Sequence, residues 1–341
     1  MKHIILILVL VGSVVFSGQS QDHKFSQFYN SPLNLNPALT GKINSHYRFV
    51  ANYRNQYAKI STPSPYNTFS FSGDAGFLRD QLNDNILGAG LLFVTDHQGG
   101  VLRTNQIFLS TAYHQGFGYD KKHYLSVGFQ AGVVNRSIDR SIFFEDEFNG
   151  ESFDLGTSID WLNIEDRAIW NFNMHAGIFW SSSFTESFSV YAGAALFNIL
   201  KPKETFLGEE NERDFRYSAS GGFVIDINKK VLLSPNALFM RQSEATQVIA
   251  GTSASFNLSG PRRPYETSLY VGGWYDVNGA VIGSAGIQYQ GFQLGMSYDV
   301  TLSDLNDANN GYGAFEVSII YVGKPVERGQ KYPLLNCPKF N

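Results

Sequence analysis

The sequence predicts an all-β fold, a transmembrane antiparallel outer-membrane β-barrel of about 14 strands. Three observations predict it. Apolar and polar residues alternate in one segment after another between residues 45 and 322. Charged residues make up 16% of the 341, aromatics 15%, and there are 33 glycines. Ordinary soluble domains carry about 25% charge. An export signal opens the chain, and no later run is long and apolar enough to cross a bilayer as a helix.

Residues 1–20 read as a signal peptide. Lys2 and His3 precede the apolar run Ile4–Phe16, and Gly18 and Ser20 supply small residues before a cleavage that leaves Gln21 first. The run is short for a membrane helix. Residues 21–44 follow, with Phe25, Phe28, Tyr29, Pro32, Leu35 and Pro37. An apolar segment broken by prolines is a poor strand. It is expected to plug the lumen or to pack against the periplasmic rim. A disordered leader is the alternative, and the aromatics argue against full solvation.

The barrel is expected over 45–322. Its strands fall near 45–54, 66–74, 86–96, 101–114, 123–135, 168–181, 187–199, 214–226, 231–241, 245–258, 265–276, 280–289, 291–300 and 312–322. The segment 168–182 is the clearest. Trp170, Phe172, Met174, Ala176, Ile178 and Trp180 form one face, and Asn171, Asn173, His175 and Gly177 the other. About ten residues at about 3.3 Å each, tilted by about 40°, span about 25 Å, the height of the apolar band of such a barrel. Trp170 and Trp180 then sit at opposite membrane interfaces, with Tyr298 and Tyr321 as further interface aromatics. In 291–300, Phe292, Leu294, Met296, Tyr298 and Val300 oppose Gln293, Gly295, Ser297 and Asp299. The polar faces carry Ser, Gly, Gln and Asn. The core of a soluble sandwich would want aliphatics there, and a wet lumen would not.

The connections sort by parity. With the first strand rising from the periplasm, 55–65, 136–167, 200–213 and 301–311 face outward and are long, while 227–230, 259–264 and 289–291 are short. The connection 75–85 is an exception. The long loop 136–167 is acidic, with Glu145, Asp146 and Glu147 in a row, and suits calcium, a basic partner or plain solvation. The tail 323–341 is expected to be periplasmic. Lys324, Arg328, Lys331 and Lys339 make it basic, which fits an acidic partner or a solvated end.

No catalytic constellation emerges. Gly251 to Ser255 imitates a nucleophile elbow but lacks the final glycine and lies within a strand. Asp304 to Asn309 imitates a calcium loop but puts Ala308 where an oxygen ligand belongs. His175 stands alone on its wet face, and Asp96 with His97 is a single pair. No enzyme activity, cofactor or metal is expected. A net charge of −4 gives nucleic acid no support as a partner. The one cysteine, Cys337, cannot form an internal disulfide.

A set of short motifs spans the chain from residue 21 onward. Phe25, Ser26, Gln27 and Tyr29 precede Asn36 and Pro37. Tyr53, Arg54, Asn55 and Gln56 end the first strand. Tyr298 and Asp299 come before Glu316, and Cys337, Pro338, Lys339 and Phe340 close the chain. Together these resemble the PorP/SprF family of type IX secretion proteins of the Bacteroidota, with Lys339 where the family's tail commonly has arginine. The resemblance implies a non-enzymatic outer-membrane component that supports secretion or surface attachment of cargo with C-terminal sorting domains, including gliding adhesins. Its partners would be other type IX components, one cargo protein and outer-membrane lipid. The alternative is a channel for small or lipidic solutes.

Overall fold

The computed structural model describes residues 22–58, 65–78, 82, 85–118, 122–138, 147–152, 154, 158, 168–206, 212–259, 266–303 and 306–323. The signal segment 1–20, most of the loop 136–167 and the tail beyond Gly323, with Cys337 and Pro338, lie outside the described residues.

Strands β1 (Tyr47–Gln56), β2 (Tyr66–Phe77), β3 (Ile86–Gln98), β4 (Leu102–Phe117), β5 (His123–Ile138), β6 (Ala168–Ser183) and β7 (Phe188–Phe197) form one half of a cylinder. Strands β8 (Arg216–Ile227), β9 (Val231–Gln242), β10 (Ala245–Asn257), β11 (Thr267–Asp276), β12 (Ala280–Tyr289), β13 (Phe292–Thr301) and β14 (Tyr312–Val322) form the other. Each pairs antiparallel with its sequence neighbours. The ladder from Arg48↔Val322 to Gln56↔Ala314 joins the first strand to the last and closes the barrel. Closure removes both sheet edges, which an antiparallel sheet in lipid requires.

Burial runs opposite to that of a soluble protein. Along β6, Trp170 is 70% exposed, and Phe172, Ile178 and Trp180 are exposed with it, whereas Asn173, His175 and Phe179 are buried. In β13 the outward residues are Phe292, Leu294, Met296, Tyr298 and Val300, and Gln293, Ser297 and Asp299 point in and are buried. A barrel sorts side chains by the two-residue period alone. A greasy exterior is stable only against lipid.

The two rims differ. One, here the terminal rim, is formed by the start of β1, the end of β14, the ends of β2, β4 and β10, the starts of β3, β5 and β11, and the turns 184–187, 228–230 and 290–291. The other, the loop rim, is formed by the ends of β1, β5, β7 and β13 and the starts of β2, β6, β8 and β14, together with the tight turns 99–101, 243–244 and 277–279. The expected long connection 75–85 shortens because Ala75, Gly76 and Phe77 stay in β2. Asn228 and Lys229, at φ 55° and 56°, make the β8–β9 turn with the left-handed pair that a two-strand twist favours. Strand β6 pairs with β7 only from Ala176 to Ser183 but with β5 from Ala168 to Ser182. Above that point the β7–β8 connection covers its flank, with Ile199 N donating to Met174 O.

Residues 22–46 run down the lumen from the loop rim to the terminal rim. The path holds a 3₁₀ turn Phe28–Asn30, one α-turn Pro32–Leu35 and a second 3₁₀ turn Pro37–Leu39. Proline opens the last two, where a fixed φ and a missing N–H do no harm. The lumen is less hydrophilic than the alternation implies. Phe28, Leu35, Ala38 and Leu39 pack with inward Phe179, Tyr191, Leu238, Ile249, Trp274 and Ile282. Leu33 packs with Leu92, Val94, Phe108 and Val134. These inward apolar side chains exist to meet the segment, and the sequence pattern alone did not separate them from a wet wall.

Candidate functional site

The polar groups of the lumen are organised by the threaded segment, at four levels. At the loop rim Asp22 is nearly buried. Arg213 donates from Nε to Asp22 Oδ1 at 2.8 Å and again from Nη2, and Arg216 Nε stands 3.3 Å from Oδ2. Arg213 also donates from Nη1 to Glu204 Oε1 at 2.5 Å, and Glu204 meets Arg136 of β5. The loop 198–215 is therefore tied to the start of the plug. Burial alone would raise the Asp22 carboxyl, but Arg213 and Arg216 outweigh it and hold it well below the usual carboxylate range.

One turn deeper lie five of the motif residues. Arg54 of β1 donates to Glu316 of β14 and, at 3.1 Å, to Asp299 of β13. Ser26 N and Gln27 N donate to the two Glu316 oxygens at 2.6 and 2.9 Å, and Ser26 Oγ donates to Asp299 Oδ2 at 2.6 Å. The carboxylate of Glu316 thus caps two backbone N–H groups of the plug and a guanidinium of the wall. Gln27 and Asn30 continue the network through Ser318 Oγ. Tyr29 stacks on Trp274 at 4.8 Å and donates to Ser284 Oγ, while Trp274 Nε1 donates to Asn236.

At mid-height the plug backbone touches the wall. Asn36 Nδ2 donates to the carbonyls of Ile178 and Ala194 at 2.9 and 3.2 Å, and its Oδ1 accepts from Ala38 N. The wall here has no side chains to speak of. Register pairs Gly88 with Ala112, Ala112 with Gly128, Gly128 with Gly177 and Gly177 with Ala195, so one row of small residues crosses β3 to β7. A Cβ on Gly177 would stand 2.0 Å from Asn36 Oδ1, one on Gly128 2.4 Å from Pro37 O, and one on Gly88 2.0 Å from Thr40 O.

The last level is at the terminal rim. Arg48 and Asp74 are both fully buried and pair through Nε–Oδ1 at 3.0 Å and Nη2–Oδ2 at 2.8 Å. Gly41 N donates to Asp74 Oδ2 at 2.7 Å, and Arg48 Nη2 reaches Leu39 O. His114 Nε2 lies 2.7 Å from Thr40 O, which can only accept, so that nitrogen carries the proton and Nδ1 takes Ser126 Oγ.

The sequence-predicted residues therefore divide. Ser26, Gln27, Arg54, Asp299 and Glu316 converge, and Asn36 and Pro37 dock on the small-residue row. Phe25 and Tyr29 are in the lumen. Tyr53 and Asn55 instead share Asn67 near the loop rim, and Gln56 accepts from Arg54. Trp170 and Tyr298 face outward toward the loop-rim end, Trp180 and Tyr321 toward the terminal-rim end. His175 is buried between Phe108 and Phe197, and its Nδ1 accepts from Asn198 N. Sequence reasoning missed the anchors Arg48, Asp74, Asp22 and Arg213, and the glycine row. The one usable signal was the recurrence of glycine and alanine on inward positions of neighbouring strands. Among the described residues no group of three His, Cys, Asp or Glu is placed to hold a metal.

Known proteins set this architecture in context. The family model described as type IX secretion system membrane protein PorP/SprF matches residues 17–321. No curated protein is similar enough to match the chain. Among solved structures, a FadL homologue of Pseudomonas aeruginosa is similar at 10% identity with a TM-score of 0.50, over 84% of this chain and 92% of that one. The toluene transporter TbuX of Ralstonia pickettii gives 10% identity and a TM-score of 0.49, over 84% and 91%. At such identities the likeness is one of fold, that of outer-membrane barrels.

Proposed function

Since the chain belongs to the PorP/SprF family of type IX secretion system membrane proteins, which the match over residues 17–321 establishes, we propose how this outer-membrane barrel serves that system. It acts as a non-enzymatic partner that supports secretion or surface attachment of one cargo protein bearing a C-terminal sorting domain, a gliding adhesin being one such cargo. The terminal rim faces the periplasm and meets other type IX components, and the loop rim faces out. Outward Trp170 and Tyr298 mark one lipid interface, and Trp180 and Tyr321 the other.

The observation that carries this reading is the filled lumen. A barrel whose bore is occupied by its own residues 22–46, ion-paired to the wall through Asp22 and hydrogen-bonded to the buried wall pairs Arg54–Glu316 and Arg48–Asp74, offers its rims and outer wall to partners rather than its bore to solutes. A solute channel of the same fold would need that segment to leave or to open a path beside it.

Deleting the gene and comparing surface and medium proteomes with the parent tests the proposal. The expected result is loss or mislocalisation of at least one protein with a sorting domain and unchanged uptake of small solutes. Unaltered cargo with altered solute uptake would overturn it in favour of a channel.

A further inference from the structure

A cavity of about 300 Å³ opens at the loop rim between the start of the plug, the ends of β8, β9 and β10, and the turn after β11. Its wall carries polar groups that the fold uses only in part. Lys24 lines it, and its ammonium has no hydrogen bond or ion pair among the described residues. The carboxylates around it are engaged elsewhere: Asp22, which lines the same cavity, is held by Arg213 and Arg216, Gln247 donates to Asp276 Oδ2 at 2.6 Å, and Arg54 holds Asp299 and Glu316. Arg216 is 7% exposed; it pairs with Asp22 at 3.3 Å and its Nη1 reaches His23 O at 3.4 Å, but its Nε makes no aligned hydrogen bond. His23 Nε2 meets Asn34 Oδ1 at 3.1 Å, while Asn34 Nδ2 donates to Ser31 and Ser70. The proton of His23 is therefore on Nε2, and Nδ1, buried and without a partner, holds a lone pair.

Buried polar groups in folded proteins are paired in roughly nine cases of ten. Two cationic donors and one neutral acceptor around a single cavity define their complement. We propose that this cavity binds a small organic carboxylate that also carries an N–H or O–H donor. The carboxylate meets Lys24 and Arg216, and the donor meets His23 Nδ1. Asn278 and Gln242 line the edge. A cavity at the lower end of the usual range, about 300 Å³, suits a ligand of about ten heavy atoms. The chemistry is shared by the end of a polypeptide and by a free hydroxy acid. It is independent of the secretion reading.

The test is calorimetric titration of the detergent-solubilised full chain with N-acetyl-alanine, with lactate and with the uncharged N-acetyl-alaninamide. At least one carboxylate is expected to bind and the amide not, and the tighter of the two carboxylates identifies the source. Lys24→Met is expected to weaken binding by about tenfold or more, and Lys24→Arg to restore most of it. Unheated gel migration checks that each variant is folded, and His23→Leu, with an expected loss of similar size, serves if Lys24→Met is not. Absence of binding by both carboxylates, equal binding of the amide, or a folded Lys24→Met or His23→Leu variant with parental affinity would overturn the proposal.

Discussion

Glu316 is almost fully buried, and four groups depend on it: the Arg54 guanidinium, two backbone N–H groups of the plug and, through Ser26, Asp299. A buried pair contributes little net stability relative to an apolar substitute, because desolvation offsets attraction, but removing one partner strands the other. Glu316→Gln should therefore lower unfolding stability by about 3 kcal/mol, read as the shift in urea midpoint of the solubilised protein. A neutral result would mean that Asp299 alone holds Arg54. His23 gives a residue-level pH dependence. Burial, helped by Arg216 and opposed by Asp96 and Asp22, holds it below the ordinary histidine value. Such a group binds a proton more readily when unfolded, so stability falls as pH drops below about 6.5. Asp22, held low, keeps its contribution intact above about pH 4 and loses it only in stronger acid. Between pH about 7 and 5, the unfolding midpoint of His23→Gln should thus vary less than that of the parent. Identical slopes would remove His23 as the source.

At the scale of elements, the row Gly88–Ala112–Gly128–Gly177–Ala195 sets where the turn Pro37–Leu39 can sit. Gly177→Val puts a Cβ 2.0 Å from Asn36 Oδ1, so the plug must lift while the strand ladder persists. Limited proteolysis should then cut within residues 22–46 at least about tenfold faster than in the parent, with unheated gel migration of the barrel retained. Protection equal to the parent would mean the turn tolerates a shift. The same elements show what was legible in sequence. Strand count, closure and facing follow from a two-residue period that any reader can count, and β6 and β13 fall within two residues of the expected limits. The row of small residues was visible residue by residue, but its meaning depends on register across five strands, which no single segment encodes. Phe179, Leu238 and Ile249 were equally ambiguous: an apolar residue on the inward face signals a plug only once the plug is in place. Asn173, which the alternation places on the polar face, donates to Asn198 Oδ1, and Asn198 in turn donates to Asp22, because the plug ends there.

For the whole molecule, bore size decides what the plug is for. Fourteen strands spaced about 4.8 Å apart and tilted by about 40° close into a cylinder about 28 Å across between backbones. Side chains on both walls leave a bore of about 15 Å, wide enough for hydrated ions and small metabolites. The chain places residues 22–46 in that space from one rim to the other and buries Arg48 and Asp74 completely at the terminal end. A flexible leader would give neither the four fixed levels nor the apolar packing around Phe28 and Leu39. The full chain reconstituted in planar bilayers should show no stepwise conductance at moderate voltage, whereas a variant lacking residues 22–40 should conduct in steps of the size of an open barrel. The comparison separates the two roles open to this fold. If the parent conducts, solutes pass beside the segment and the bore itself is functional. If it is silent and the truncated barrel conducts, the segment is a seal, and the work of the protein is done by surfaces that the seal holds in shape: the loop 198–215, tied to Asp22 through Arg213, and the rim around it.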